Sequence, residues 1–352
     1  MTERHDVTII GAGIAGLTVA SELAAAGVDV VCFEARDRVG GRLLSVGLGA
    51  DALDLGATWF WPGEHRVRRL CEVLGVDYFQ SYSDGDALYE GASGTRRLSG
   101  NPISMPAYRF IGGAHGLTQA LAQRLDPQTL KLNSPVILVD LSGEALVVTT
   151  KTASFRSKHL VLAVPPALAV SAMRFIPPFP VEVHRIAAST PVWMGGTAKI
   201  VVRYREPFWR RTGLSGAAVS AIGPLREVHD LCGPAGQPAA LFGFTTGFEA
   251  RSASTGSIEE RVLTQLVRLF GPEAANPVAI TPQDWSAEIY SSPPGVADNN
   301  NYALFGHPLY TDVSADRRLH WASTETSTAS AGHIEGALAA AERTIRRVLT
   351  WP

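Results

Sequence analysis

Val7-Thr8-Ile9-Ile10-Gly11-Ala12-Gly13-Ile14-Ala15-Gly16-Leu17 is the stretch that decides how this chain is read. Val7 to Ile10 are all β-branched and meet Gly11 at once, which predicts a buried strand running into a tight turn. Leu17, Ala20, Leu23 and Ala24 then recur at helical spacing until Gly27, the expected residue just past the helix end. A second strand is predicted from Val28 to Phe33. Gly11, Gly13 and Gly16 therefore form GxGxxG between a strand and a helix, where absent side chains let the backbone and a helix N-terminus approach a pyrophosphate. Glu34 ends the second strand where a carboxylate accepts hydrogen bonds from both ribose hydroxyls of an adenosine. Its charge repels a 2′-phosphate, which disfavours NADP. The plain alternative, a glycine-rich turn without a ligand, leaves strand, helix and acid together unexplained.

Beyond this βαβ opening, Val67, Leu70, Cys71 and Leu74 share one face of a helix expected over 65–74 and stopped by Gly75. The stretch from Asp77 to Gly113 is irregular, rich in Ser, Gly and Pro, and reads as the start of a second domain. Strands are expected at 135–140, 145–150, 159–164 and 197–204, and helices from Ser257 to Phe270 and from Ile334 to Val348. Pro293, Pro294 and Asn299 to Asn301 mark a loop. A length of 352 residues favours two domains, and 46% hydrophobic against 18% charged residues gives a substantial apolar core. A net charge of -2 offers nothing to phosphate backbones, so nucleic acid is not an expected partner. Cys32, Cys71 and Cys232 are too scattered for a disulfide framework or a zinc site, which suits a reduced cytoplasm. Neither a signal sequence nor a membrane anchor is legible, and no metal site is expected.

Ala35-Arg36-Asp37-Arg38-Val39-Gly40-Gly41-Arg42 follows Glu34 directly and resembles the extended fingerprint of the FAD enzymes that include monoamine, polyamine and L-amino acid oxidases. The resemblance continues through most of the chain. Asp54-Leu55-Gly56-Ala57-Thr58-Trp59 looks like the family segment beside the isoalloxazine ring, and Val136 matches the position that meets the adenine end. Leu162 to Pro166 and Phe175 to Pro180 resemble the third cofactor strand and the crossover after it. Trp321 to Thr326 resembles the family's AGTET segment, and Ala331 to Ala337 its SGYMEGA segment, which opens the last helix. A helix N-terminus aimed at the flavin N1 and C2 carbonyl stabilises the charge that gathers there on reduction.

The resemblance implies an α/β fold, with an interrupted Rossmann-like FAD domain (1–77, 134–180, 284–352) and a second α+β substrate domain (78–133, 181–283). It implies non-covalent FAD contacts from Gly11, Gly13, Ala15, Gly16, Glu34, Ala35, Arg36, Gly41, Arg42 and Leu43. Further contacts fall to Gly56, Ala57, Thr58, Trp59, Val136, Trp285, Thr324, Glu325, His333, Ile334 and Ala337. Arg36 and Arg42 would offer charge-assisted hydrogen bonds to the phosphates, and Glu325 would bond a ribityl hydroxyl. Lys199, in Thr197 to Val202, matches the family lysine that holds a water near flavin N5 and stabilises a forming superoxide. The monoamine oxidases attach flavin to a Cys placed after a Trp; Trp285 matches that Trp, but the Cys position is Pro294. Their two substrate-flanking tyrosines fall on Gly295 and His333, so His333 becomes a candidate polar contact or proton acceptor. Trp59, Phe60 and Trp61 are candidates for the apolar wall.

The expected reaction is hydride-equivalent transfer from an amine-bearing carbon to flavin N5, with dioxygen as acceptor and a homodimer as the candidate assembly. Three alternatives stay open: an FAD-dependent desaturase acting on a carbon–carbon bond, a catalytically silent flavoprotein, and a plain NAD dehydrogenase.

Overall fold

The structure, a computed structural model, describes residues 3–47, 49–252, 256–295, 299–311 and 317–350. The opening strand is Glu3–Ile10, and its alternation sorts the core: Val7 and Ile9 face one side, Ile10 the other. It pairs in parallel with Val30–Phe33 and with Ser154–Leu162. Among the described residues this sheet has eight strands, in the order Arg174–Ile176, Val136–Asp140, Leu146–Thr150, Ser154–Leu162, Glu3–Ile10, Val30–Phe33 and Leu130–Lys131, with Leu319–Trp321 added on the second half of Ser154–Leu162. The helices Ile14–Ala25, His65–Leu74, His115–Gln123 and Ile334–Thr350 contribute to the core on one face. Ile186 and Ala187 of the helix Val181–Ser189 contribute to the core on the other. The result is the mixed α/β architecture expected.

A second sheet of seven strands is ordered Ala279–Asp284, Thr197–Tyr204, Ala239–Thr246, Glu227–Asp230, Leu214–Ser220, Asp86–Gly91, Gly94–Leu98. Period-2 alternation in Thr197–Tyr204 sends Ile200, Val202 and Tyr204 toward the helix Ile258–Phe270, and Val201 into the opposite cluster with Leu55 and Phe242. Lys199 shares parity with Val201, so it faces the first sheet. The helix Ile258–Phe270 starts with the reciprocal Ser257–Glu260 capping box, and Gly75 ends His65–Leu74 in the left-handed conformation at φ 65°.

Three expectations are corrected. The stretch 77–113 is not irregular: it holds Tyr78–Gln80, Asp86–Gly91, Gly94–Leu98 and Tyr108–Phe110. Arg96 and Arg97 sit on an exposed edge strand, so apolar alternation is weak there, while Asp86–Gly91 pairs with Leu214–Ser220, remote in sequence. The strand expected at 159–164 begins at Ser154, because Arg156 and Lys158 point to solvent and break its apolar run. Residues 115–131 and 181–189, read with the substrate domain, pack in the cores of the first sheet instead.

Candidate functional site

A cavity of about 730 Å³ runs from the Gly11 turn to the inner face of the second sheet. At its near end Gly11 has φ +102°, and a Cβ there would stand 2.8 Å from Val164 Cγ1 and 2.9 Å from the Ala163 carbonyl oxygen, so only glycine fits. Gly13 caps the first helix with no side-chain bond, which leaves the first-turn N–H groups directed at a cavity lined by Gly13, Ile14 and Ala15. Such a terminus is a ready anion cradle. Glu34 is buried beside it and accepts from Ala12 N and Arg36 N, each at 3.0 Å, so its carboxylate is held in one orientation. Ala35, Arg36, Gly41, Arg42, Leu43 and Val136 complete this end.

At the far end Lys199 is only 1% exposed. Its Nζ donates to the Gly56 carbonyl at 3.1 Å and to Thr58 Oγ1, and sits 4.1 Å from the Phe242 ring centroid. Burial lowers its pKa to about 7, against the opposing pull of the Asp54 carboxylate and with a further push from Arg109. Burial in turn raises Asp54, whose Oδ1 accepts from Ser45 Oγ and Ala114 N at 2.7 and 2.8 Å. Ala57, Trp59 and Trp285 line the same region, with Trp285 Nε1 donating to the Leu55 carbonyl at 3.0 Å. The last helix opens here as well. Thr324 Oγ1 accepts from Gly332 N at 2.9 Å and donates to the His333 carbonyl at 2.8 Å, and Thr324, His333, Ile334 and Ala337 all line the wall. Two helix N-termini from opposite ends of the chain therefore address one cavity.

Residues 96–349 match the family described as flavin containing amine oxidoreductase, and residues 9–74 match an NAD(P)-binding Rossmann-like domain. The chain belongs to the flavin-containing amine oxidoreductase family. It is accordingly an FAD-dependent oxidoreductase, as the motifs implied. It is 25% identical to a probable flavin-containing monoamine oxidase A of Dictyostelium discoideum, over 99% of this chain and 98% of that one. Human amine oxidase [flavin-containing] B is also 25% identical, over 99% of this chain and 87% of its own. In fold it resembles putrescine oxidase bound to putrescine, with a TM-score of 0.85 at 22% identity over 100% of both chains. Cyclohexylamine oxidase from Brevibacterium oxydans gives a TM-score of 0.83 at 22% identity over 98% of both.

The residues present fit FAD. An uncapped helix start and a buried acid, Glu34, occupy one end of a long cavity, and a second helix start with a buried lysine occupies the other. Several details differ from expectation. Gly16 is off the wall: its Cβ would stand 1.9 Å from the Gly11 carbonyl oxygen, so its absence lets helix and strand pack. Glu325 is also off the wall, fully buried, and both of its oxygens go to Arg42, at 2.6 and 3.1 Å. A ribityl bond from Glu325 is therefore replaced by an internal ion pair. Arg36 lines the cavity but is tied to Glu288 at 2.7 Å, so neither arginine arrives as an unneutralised cation. Phe60 is packed among Tyr78, Tyr108 and Phe110, and Gly295 is exposed and does not line the cavity. None of the three cysteines reaches the wall.

Sequence reasoning missed Trp193, Glu64 and Glu227. Trp193 and Glu227 line the cavity, and Glu64 bonds His333 beside it. No local pattern marks them: Glu64 and Trp193 meet His333 from far away in the chain, and Glu227 reaches the wall only through the pairing of its sheet.

Proposed function

We propose that this chain oxidises an amine at the carbon bearing nitrogen, giving an imine that hydrolyses, with dioxygen as the electron acceptor. Bound FAD supplies the two-electron oxidation, accepting a hydride equivalent at N5. The observation that carries the reading is the meeting of Lys199 and the start of the last helix at one end of the cavity that begins at the Gly11 turn. Gly13, Ile14 and Ala15 would hold the pyrophosphate, Glu34 the adenosine ribose, and Ile334 and Ala337 the redox ring. Lys199 keeps a donor buried beside the reacting centre, held by Gly56 and Thr58. Trp59, Trp61, Trp193 and Phe244 line the wall and favour an amine with an apolar body.

The names of the structural neighbours support an amine as substrate. Non-covalent binding is supported by the distance of every cysteine from the wall. We assign the first sheet and its helices to a cofactor domain and the second sheet to a substrate domain. Among the described residues no helix is long and apolar enough to cross a membrane, and the three buried, unpaired cysteines favour a reducing cytoplasm. The test is an anaerobic titration of the purified protein with monoamines, diamines and amino acids, followed at the flavin absorbance. Bleaching by at least one amine, with peroxide and ammonia released in air, is the expected result. Bleaching only by compounds without nitrogen would refute the reading.

A further inference from the structure

A second pair of ionisable side chains lies at the cavity, apart from Lys199. His333 stacks on Trp61, centroids 4.6 Å apart at 26°, and meets Trp193 edge-on at 6.2 Å. Its Nδ1 lies 2.8 Å from Glu64 Oε1. Glu64 is buried, and its other oxygen accepts from Trp61 N at 3.0 Å, so the carboxylate is anchored to the loop that carries the stacking ring. A carboxylate accepts, so Nδ1 carries the hydrogen of this bond; in the neutral ring that tautomer would place the lone pair on Nε2. The His333 side chain is 32% exposed and lines the cavity, which leaves Nε2 as the ring nitrogen offered to a ligand.

An alkylamine resembles the lysine side chain and reaches the protein as an ammonium at neutral pH. Its carbon gives up a hydride only once the nitrogen lone pair is available. We propose that His333 Nε2 takes the proton of the substrate ammonium, with Glu64 as the positioning residue that holds the required tautomer; the proposal rests on the amine reading above. The step balances as R–CH2–NH3+ plus neutral imidazole giving R–CH2–NH2 plus imidazolium. The N–H bond breaks with its electron pair left on the amine, a new N–H bond forms at Nε2, and the proton later leaves to solvent from the exposed ring edge.

The other ionisable groups nearby are already engaged. Lys199 is held by Gly56 and Thr58, and Glu227 lies 3.3 Å from His229 Nε2. Glu335, two residues after His333, turns to Arg66 and to Val67 N. Among the described residues, Glu64 is the carboxylate bonded to the ring.

The test uses the FAD-loaded protein and Glu64→Gln, whose amide can still accept from Nδ1. With selective 15N labelling of the nine histidines, the His333 signal is identified by its loss in His333→Gln. An amine lacking hydrogen on its α-carbon, which cannot be oxidised, should convert that ring to imidazolium in the wild type and leave it neutral in Glu64→Gln. In anaerobic rapid mixing with an oxidisable amine, Glu64→Gln should reduce its flavin about 100-fold more slowly near pH 7. The deficit should close as the pH rises toward about 10, where solvent deprotonates the amine. A merely structural Glu64 would lower the rate equally at every pH. Parallel profiles, or a ring that stays neutral in the wild type, would overturn the pair while leaving amine oxidation standing. If no amine bleaches the wild-type flavin, the amine reading fails and the pair falls with it.

Discussion

Lys199 shows how much one buried side chain can be asked to do. Its ammonium is stripped of water, compensated in part by the Asp54 carboxylate, and fixed by two oxygen acceptors. Because its folded pKa lies below the ordinary lysine value of 10.5, the unfolded chain binds the proton more tightly. The group's contribution to stability is therefore fully present above pH 10.5 and is lost as the pH falls to about 7. Urea unfolding of the FAD-free protein should show stability rising with pH across that window, and Lys199→Met should flatten the rise; an unchanged slope would contradict the burial argument. The same variant should keep FAD bound yet reoxidise roughly 10-fold or more slowly in aerated buffer, as expected on removing one preorganised charge. The sequence pointed to Lys199 through its strand and its family context. It could not point to Asp54 as a partner of Lys199 or to Glu64 as that of His333, because these pairs form only in the folded chain, Glu64 meeting His333 across 269 residues.

At the scale of elements, the helices and strands that were legible are those whose own residues carry their signal. The helix Ile258–Phe270 announces itself by its cap and its apolar stripe, and Thr197–Tyr204 by its alternation. Asp86–Gly91 was missed because its parallel partner lies more than a hundred residues later, and Gly94–Leu98 because it is an exposed, charged edge strand paired only with it. This contrast predicts two classes of substitution. Gly16→Ala forces a Cβ against the Gly11 carbonyl and should destabilise the FAD-free protein by about 2 to 3 kcal/mol while weakening FAD binding. Ser257→Ala removes only a cap on the outer helix, so about 1 kcal/mol should be lost with FAD affinity intact. Urea unfolding and FAD titration of both variants separate the two outcomes, and equal losses of FAD affinity would refute the division.

Among the described residues, the two large sheets share one cavity. The first sheet supplies the dinucleotide turn and both helix starts, and the second supplies Lys199. A ligand bridging them adds its binding free energy to folding. FAD at about 100 times its dissociation constant should stabilise the protein by about 2.7 kcal/mol and raise Tm accordingly. A Tm indifferent to added FAD would deny that the cavity is its site. Arg42 and Glu325, paired at 2.6 Å, are 283 residues apart in the chain. During synthesis the arginine leaves the ribosome long before its counter-charge exists; Leu319–Trp321 emerges just ahead of Glu325, and the last helix follows it. Cofactor loading therefore belongs to the finished polypeptide. In a cell short of riboflavin, completed chains would wait with this apolar gap unfilled, as clients for chaperones and proteases.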